Sequence, residues 1–125
     1  MIDIRPNPED WKKPLYIASK DNEVSYDDEG EEITTYQEPV EYEFNYQPVS
    51  TDAEIAEFGE KVSSMMKAVI PISYKGTFKE FDVAYLDGVV PDGETVYGMK
   101  ANYRLLPPRN GNSAIIIYFE KIIGK

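Results

Sequence analysis

Asp82, Asp87, Asp92 and Glu94 fall close enough together to suggest a carboxylate pair of the kind a glycosidase uses. Acids beside Gly and Pro have a plainer role, in which the side chain accepts hydrogen bonds from local turn amides. No His, second acidic cluster or nearby sugar-stacking Trp supports the catalytic reading, so a carboxylate hydrolase is the lesser alternative. Asp27, Glu29, Glu31 and Glu38 stand at the first, third, fifth and twelfth positions of a calcium-loop spacing. The sixth position of such a loop needs Gly for its sharp turn, and here it is Glu32. Ser64 precedes Lys67 by three residues, as in Ser-x-x-Lys nucleophile motifs, with none of the partner motifs that accompany them. Gly76, Gly88, Gly93 and Gly98 lack phosphate-loop spacing and read as turns. Catalytic, metal and cofactor sites are therefore all expected to be absent.

Composition narrows the field in the same direction. The 125 residues are the usual size of one domain, expected to span 1–125. Lack of Cys excludes disulfides and thiolate metal sites, which fits a reducing compartment or a particle that does not rely on disulfides. Lack of His removes the commonest general base and metal ligand. The N-terminal residues show no signal pattern, and the apolar runs at 68–70 and 114–119 are too short to span a bilayer. A soluble protein without a membrane partner is expected.

The net charge of −10 is unevenly placed. Residues 21–60 carry fourteen acids and no Lys or Arg, whereas bases outnumber acids on either side. A generic nucleic-acid binder is disfavoured, because phosphate binding needs a concentrated basic surface. The Tyr and Phe residues sit amid acids, so core and protein interface suit them better than base stacking. The acidic stretch reads either as a solvated loop plus a polar strand face, or as one pole of a dipolar subunit that meets a neighbour's basic part.

The elements that must carry these residues are short. An irregular segment at 7–11 holds the single Trp, and 13–18 reads as a strand with Pro14 at its start. Residues 21–32 read as an exposed acidic loop, and 33–37 as a possible strand start. Residues 40–46 alternate apolar and polar, as a strand with one buried face does. Thr51 and Glu54 form a capping box that opens a short helix over 51–59, with Ile55, Phe58 and Val62 on one face. Residues 61–72 favour a strand over a longer helix. Residues 82–86 follow, with Val83 and Tyr85 on one face and Ala84 and Leu86 on the other. Another strand runs from 96–97 into 101–106. Asn110-Gly111 signals a hairpin into a final strand over 114–122, whose apolar centre implies burial on both faces. The sum is a mainly β protein, a small antiparallel β-barrel of six to seven strands with one short helix and a long acidic loop.

Residues 76–104 carry a resemblance. Phe78-x-Glu80-x-Asp82-x-Ala84-Tyr85-Leu86-x-Gly88, then Pro91-x-Gly93-Glu94, Gly98 and Ala101-Asn102-Tyr103, is similar to the head-closure (stopper) proteins of tailed bacteriophages. The hairpin around Arg109-Asn110-Gly111-Asn112 fits the same pattern, and the similarity spans roughly residues 58–123. The resemblance implies a virion neck protein without turnover, assembled in the host cytoplasm into a homo-oligomeric ring, commonly twelve-fold with six-fold as the alternative. It implies a portal–adaptor complex on one side, a tail terminator or tail tube protein on the other, and passive contact with packaged DNA. A neighbouring neck or tail-terminator ring protein is the nearest alternative, and a monomeric β-barrel binding module the more distant one. Asp27, Asp28, Glu29, Glu31 and Glu32 are the expected channel-lining or docking residues. Lys75, Lys79, Arg104 and Arg109 are expected on the complementary surface.

Overall fold

The computed structural model describes residues 12–22 and 25–122. The segment at 7–11 with Trp11 lies outside them. The architecture is mainly β, with ten strands and one α-helix among the described residues. The main sheet runs in the order β4 (Val40–Phe44), β1 (Lys13–Ala18), β7 (Val83–Tyr85), β8 (Tyr103–Leu105), β10 (Ala114–Lys121), β6 (Met65–Pro71), β5 (Tyr46–Pro48), all antiparallel. The two ends of this order, β4 and β5, are halves of one segment bent at Asn45. The first half pairs with β1 and the second with β6, so the sheet curls into a nearly closed barrel. Closure of this kind removes most of the unpaired edge that an open sheet would expose.

Each face of the barrel wall has its own cover. Leu15, Ile17, Ile70, Leu105, Ile115, Ile117 and Phe119 fill the interior. Tyr42, Phe44, Tyr74 and Phe78 add an aromatic cluster with ring centroids 5.1–6.0 Å apart. On the outside, Val49, Met65 and Tyr118 are covered by Phe58 and Val62, while Ala18, Val83, Tyr85 and Ala101 form a separate cluster with Tyr36 and Val89. This explains the solid apolar run of β10. Ile115, Ile117 and Phe119 point into the barrel, and Tyr118 points out under the helix. The same logic holds for β7, where Val83 and Tyr85 face outward to one cluster and Ala84 inward. Fully burying each large side chain stabilises by about 1.5–3 kcal/mol, so the outer-face contacts add to those made inside the barrel.

Helix α1 (Asp52–Phe58) starts as the capping pattern predicts. Glu54 N–H donates to Thr51 Oγ1 at 3.2 Å, and Thr51 N–H donates back to Glu54 Oε1 at 3.3 Å. Of the expected face, Phe58 and Val62 pack inward and Ile55 does not. Ile55 is 45% exposed, and Glu54 turns inward instead, because Tyr118 and Lys67 wait there as donors.

Three other expectations are corrected. Residues 61–64 belong to a 3₁₀ turn, Gly59–Ser64, rather than to a strand. Ser63 and Ser64 hydroxyls donate to the carbonyls of Glu60 and Lys61, a local bonding that competes with a sheet ladder. After β6, a second 3₁₀ turn takes Ile72–Tyr74. Residues 96–97 form no strand; they lie in the turn-rich loop at 86–102, and extended pairing resumes at Tyr103. The acidic loop, finally, is a two-stranded ribbon, β2 (Ser25–Tyr26) with β3 (Glu32–Ile33). The Asn110-Gly111 hairpin forms as read, joining β9 (Arg109–Asn110) to β10.

Candidate functional site: the acidic ribbon and its root

The ribbon is an outward continuation of the β1–β4 pair. Past Ala18, Gln37 N–H donates to Ser19 O at 2.8 Å, Lys20 bridges Tyr36, and Asp21 N–H donates to Thr35 O at 2.9 Å. The Thr35 hydroxyl adds a bond to Asp21 Oδ2 at 2.7 Å. Beyond this, β2 and β3 pair, and the chain reverses at residues 27–31. Asp27 builds that turn: its Oδ1 accepts from Glu29 N–H at 2.9 Å and Glu31 N–H at 2.8 Å. Gly30 follows at φ 83, where side chains other than glycine are strained. Asp27 is thus a turn acid. Among the described residues no group of three or more acids is placed to hold a metal ion, so the calcium-loop spacing gains no support.

Asp28, Glu29, Glu31 and Glu32 are exposed, and among the described residues none pairs with a Lys or Arg. The ribbon also carries exposed apolar groups: Tyr26 is 65% exposed and Ile33 is exposed as well. Like charges this close repel, and salt screens them only beyond about 8 Å at physiological ionic strength.

At the root, Asp82 does structural work. It is buried, and its two oxygens accept from Lys20 N–H and Lys79 N–H, each at 2.9 Å. The carboxylate therefore pins the start of the ribbon to the 79–82 turn. Burial pushes its pKa up, against the pull of the two amides and the Lys79 charge. Phe81, just before it, is held at φ 75 and is 54% exposed. Non-glycine residues held at such angles cost about 1–3 kcal/mol and persist only where the surroundings impose them. Here Phe81 N–H donates to Leu105 O and the next residue is the pinned Asp82.

Around Phe81 lies a pocket of about 330 Å³ that includes Lys20, Tyr36, Val83, Arg104 and Ile122. Lys20 Nζ sits 5.4 Å from the Phe81 ring centroid. Arg104 reaches Glu120 at 3.0 Å. The charge of Lys79 acts on Asp82 beside them. Two of the four expected cations, Lys79 and Arg104, thus flank the root, joined by Lys20, which closes the mixed-charge N-terminal stretch just before the acids begin. Arg109 lies apart from them. Its guanidinium forks onto the Glu57 carboxylate and stacks 4.9 Å from the Tyr118 ring and 5.4 Å from the Phe58 ring. Lys75 ends the Ile72–Tyr74 turn and is exposed.

Of the carboxylates that suggested acid–base chemistry, Asp82, Asp87 and Glu94 are engaged separately, while Asp92 is exposed and its backbone carbonyl accepts from Lys100 Nζ. Both Glu94 oxygens accept from the Tyr85 hydroxyl, at 2.8 and 2.7 Å, and Oε2 accepts from Lys100 N–H at 2.6 Å. Asp87 accepts from the Tyr103 hydroxyl at 3.2 Å. Burial and then the neighbouring carboxylate drive Tyr85 far up, while burial and Asp87 push Tyr103 to about 12. Both hydroxyls consequently stay protonated donors, and their acids serve to tie the 86–102 loop to the barrel. Ser64 bonds the Lys61 carbonyl and Lys67 bonds Glu54, which takes the Ser-x-x-Lys pattern apart.

The 86–102 loop braces the ribbon root from the other side. Gly98 N–H donates to Tyr85 Oη at 2.8 Å, and a Cβ at Gly98 would lie 2.7 Å from the Tyr36 ring. Only glycine admits that approach. The loop exposes Val90, Val96, Tyr97 and Met99, an apolar display that sequence reading did not single out. A cleft of about 430 Å³ opens where β4 and β6 part beside Asn45, with Phe44, Val69, Ile70 and Tyr74 in its wall. Comparison with protein-family models, with curated proteins and with solved structures found no match.

Proposed function

We propose that the chain is a structural protein of a tailed-bacteriophage neck, a head-closure ring that joins the portal–adaptor complex to the tail and helps retain packaged DNA. The observation that carries this reading is the ribbon: a pinned, two-stranded projection whose tip carboxylates face solvent without a cation partner among the described residues. In a ring, such projections supply strongly negative elements for docking on a neighbouring subunit, and acids not engaged there face the channel, where DNA phosphates pass without adhering. The small barrel supplies a rigid body, and the exposed apolar groups of the 86–102 loop supply area for contact with neck partners. The twelve-fold or six-fold symmetry, the virion location and assembly in the host cytoplasm come from the resemblance at 76–104. Among the described residues no helix is long and apolar enough to cross a membrane.

The test is electron microscopy of the purified protein mixed with portal–adaptor complexes and, separately, with tails. Added ring density at the adaptor end supports the head-closure reading. Density only on tails supports a tail-terminator ring instead. A protein that stays monomeric and binds neither refutes the neck assignment.

A further inference from the structure

The ribbon carries an acidic turn at one end and a pocket with cationic and apolar walls at the other. The tip of the ribbon is negative, with Asp28, Glu29, Glu31 and Glu32 exposed, and Tyr26 stands beside them. The pocket at the root is its counterpart: Lys20 beside the Phe81 ring, Arg104 in an exposed pair with Glu120, Lys79 next to the buried Asp82, and Tyr36, Phe81 and Ile122 as its apolar part. Lys20 is itself a ribbon residue, paired with Tyr36. The pocket wall reaches up the ribbon to Thr34, and the acidic turn at 27–31 lies beyond the β2–β3 pairing.

Resting on the ring reading above, we propose that the ribbon tip of one copy docks in the root pocket of the next. The tip and pocket are different surfaces, so the contact is head-to-tail, the class that closes into rings when the rotation permits. Tyr26 packs against Phe81, and the tip acids approach Lys20 and Arg104. Phe81 accounts for its own exposure in this scheme. A large ring displayed in a conformation that phenylalanine rarely adopts makes sense as an anchor for another surface. The strong negative field of the tip steers the encounter and makes assembly salt-sensitive.

The chain has no Cys, so single introduced thiols report contacts directly. Lys20→Cys and Glu29→Cys chains are prepared separately and oxidised mildly, alone and mixed, free at high concentration and bound to portal–adaptor complexes. Disulfide-linked pairs in the mixture, with neither variant linking to itself, are expected. A second arm uses charge. Asp28→Lys/Glu29→Lys/Glu31→Lys chains and Lys20→Glu/Arg104→Gln chains should each need at least tenfold higher concentration to assemble, and an equimolar mixture should recover assembly. Circular dichroism and thermal midpoints confirm that each variant folds. Rings that form without tip–root cross-links, or self-linking of Lys20→Cys copies, overturn this contact while leaving the neck assignment standing. Absence of both oligomers and portal–adaptor binding removes the two together.

Discussion

Replacing Glu54 with Gln isolates a charge at the junction of helix and barrel. The wild-type carboxylate is buried and accepts from Thr51 N–H at 3.3 Å, the Thr51 hydroxyl at 2.8 Å, Lys67 Nζ at 3.1 Å and the Tyr118 hydroxyl at 2.6 Å. Burial alone would raise its pKa, but the bonds from Tyr118, Lys67 and Thr51 outweigh burial and lower it from 4.5 to about 2. A lowering of that size separates the two protonation states by about 3 kcal/mol. Lys67 is 17% exposed, so solvent screens part of this, and the expected loss for Glu54→Gln at neutral pH is about 1–2 kcal/mol. Because the folded pKa is the lower one, the stabilisation is fully present above pH 4.5 and is lost as pH falls through about 2. Tyr118, pushed to about 12 by burial and by Glu54, stays a donor throughout that range. Urea unfolding of both proteins between pH 2 and 8 measures the effect. The gap should be open at pH 7 and should close toward pH 2. A gap below about 0.5 kcal/mol at pH 7, or one that does not vary with pH, would show that the carboxylate is not the group holding the helix down.

Gly98→Ala places a methyl 2.7 Å from the Tyr36 ring at a backbone angle that disfavours it, and should cost about 1–3 kcal/mol in thermal unfolding. Asp82→Asn leaves one amide oxygen where two carboxylate oxygens each accepted an amide, so hydrogen exchange at Lys20 or Lys79 should speed up at least tenfold; unchanged protection at both would contradict its pinning role. Phe81→Gly relieves backbone strain while giving up the Lys20 contact, and should leave stability within about 1 kcal/mol of wild type while weakening assembly. Neutralising Asp27, Asp28, Glu29, Glu31 and Glu32 to Asn and Gln should leave the barrel's thermal midpoint nearly unchanged but impair neck joining or DNA retention. Normal virion yield and infectivity would refute the role given to the ribbon.

What could be read from the chain was what depends on near neighbours. The Thr51–Glu54 box needs only a spacing of three, and the Asn110-Gly111 reversal only the residues beside it, with Gly111 N–H donating to Ala114 O at 2.8 Å. The two-sided burial of β10 was legible because six consecutive apolar residues leave no polar face. The ribbon was missed as structure because β2 and β3 are two residues each and flank an acidic turn, and their order comes from the Asp27 turn and the ladder at the root. The inward turn of Glu54 was missed for a related reason. Its decisive donor, Tyr118, lies sixty-four residues away in the chain.

The sequence by itself determined a mainly β chain with one capped helix, a lopsided charge and no His or Cys. These follow from composition, period and local spacing. The tertiary structure decided which segments met: Asn45 as the bend that brings the sheet's ends together, Asp82 as the pin of the ribbon, and Lys20, Phe81 and Arg104 as walls of one pocket. Contacts of that kind depend on barrel closure, which places residues far apart in sequence within a few ångströms, and no local pattern encodes that distance.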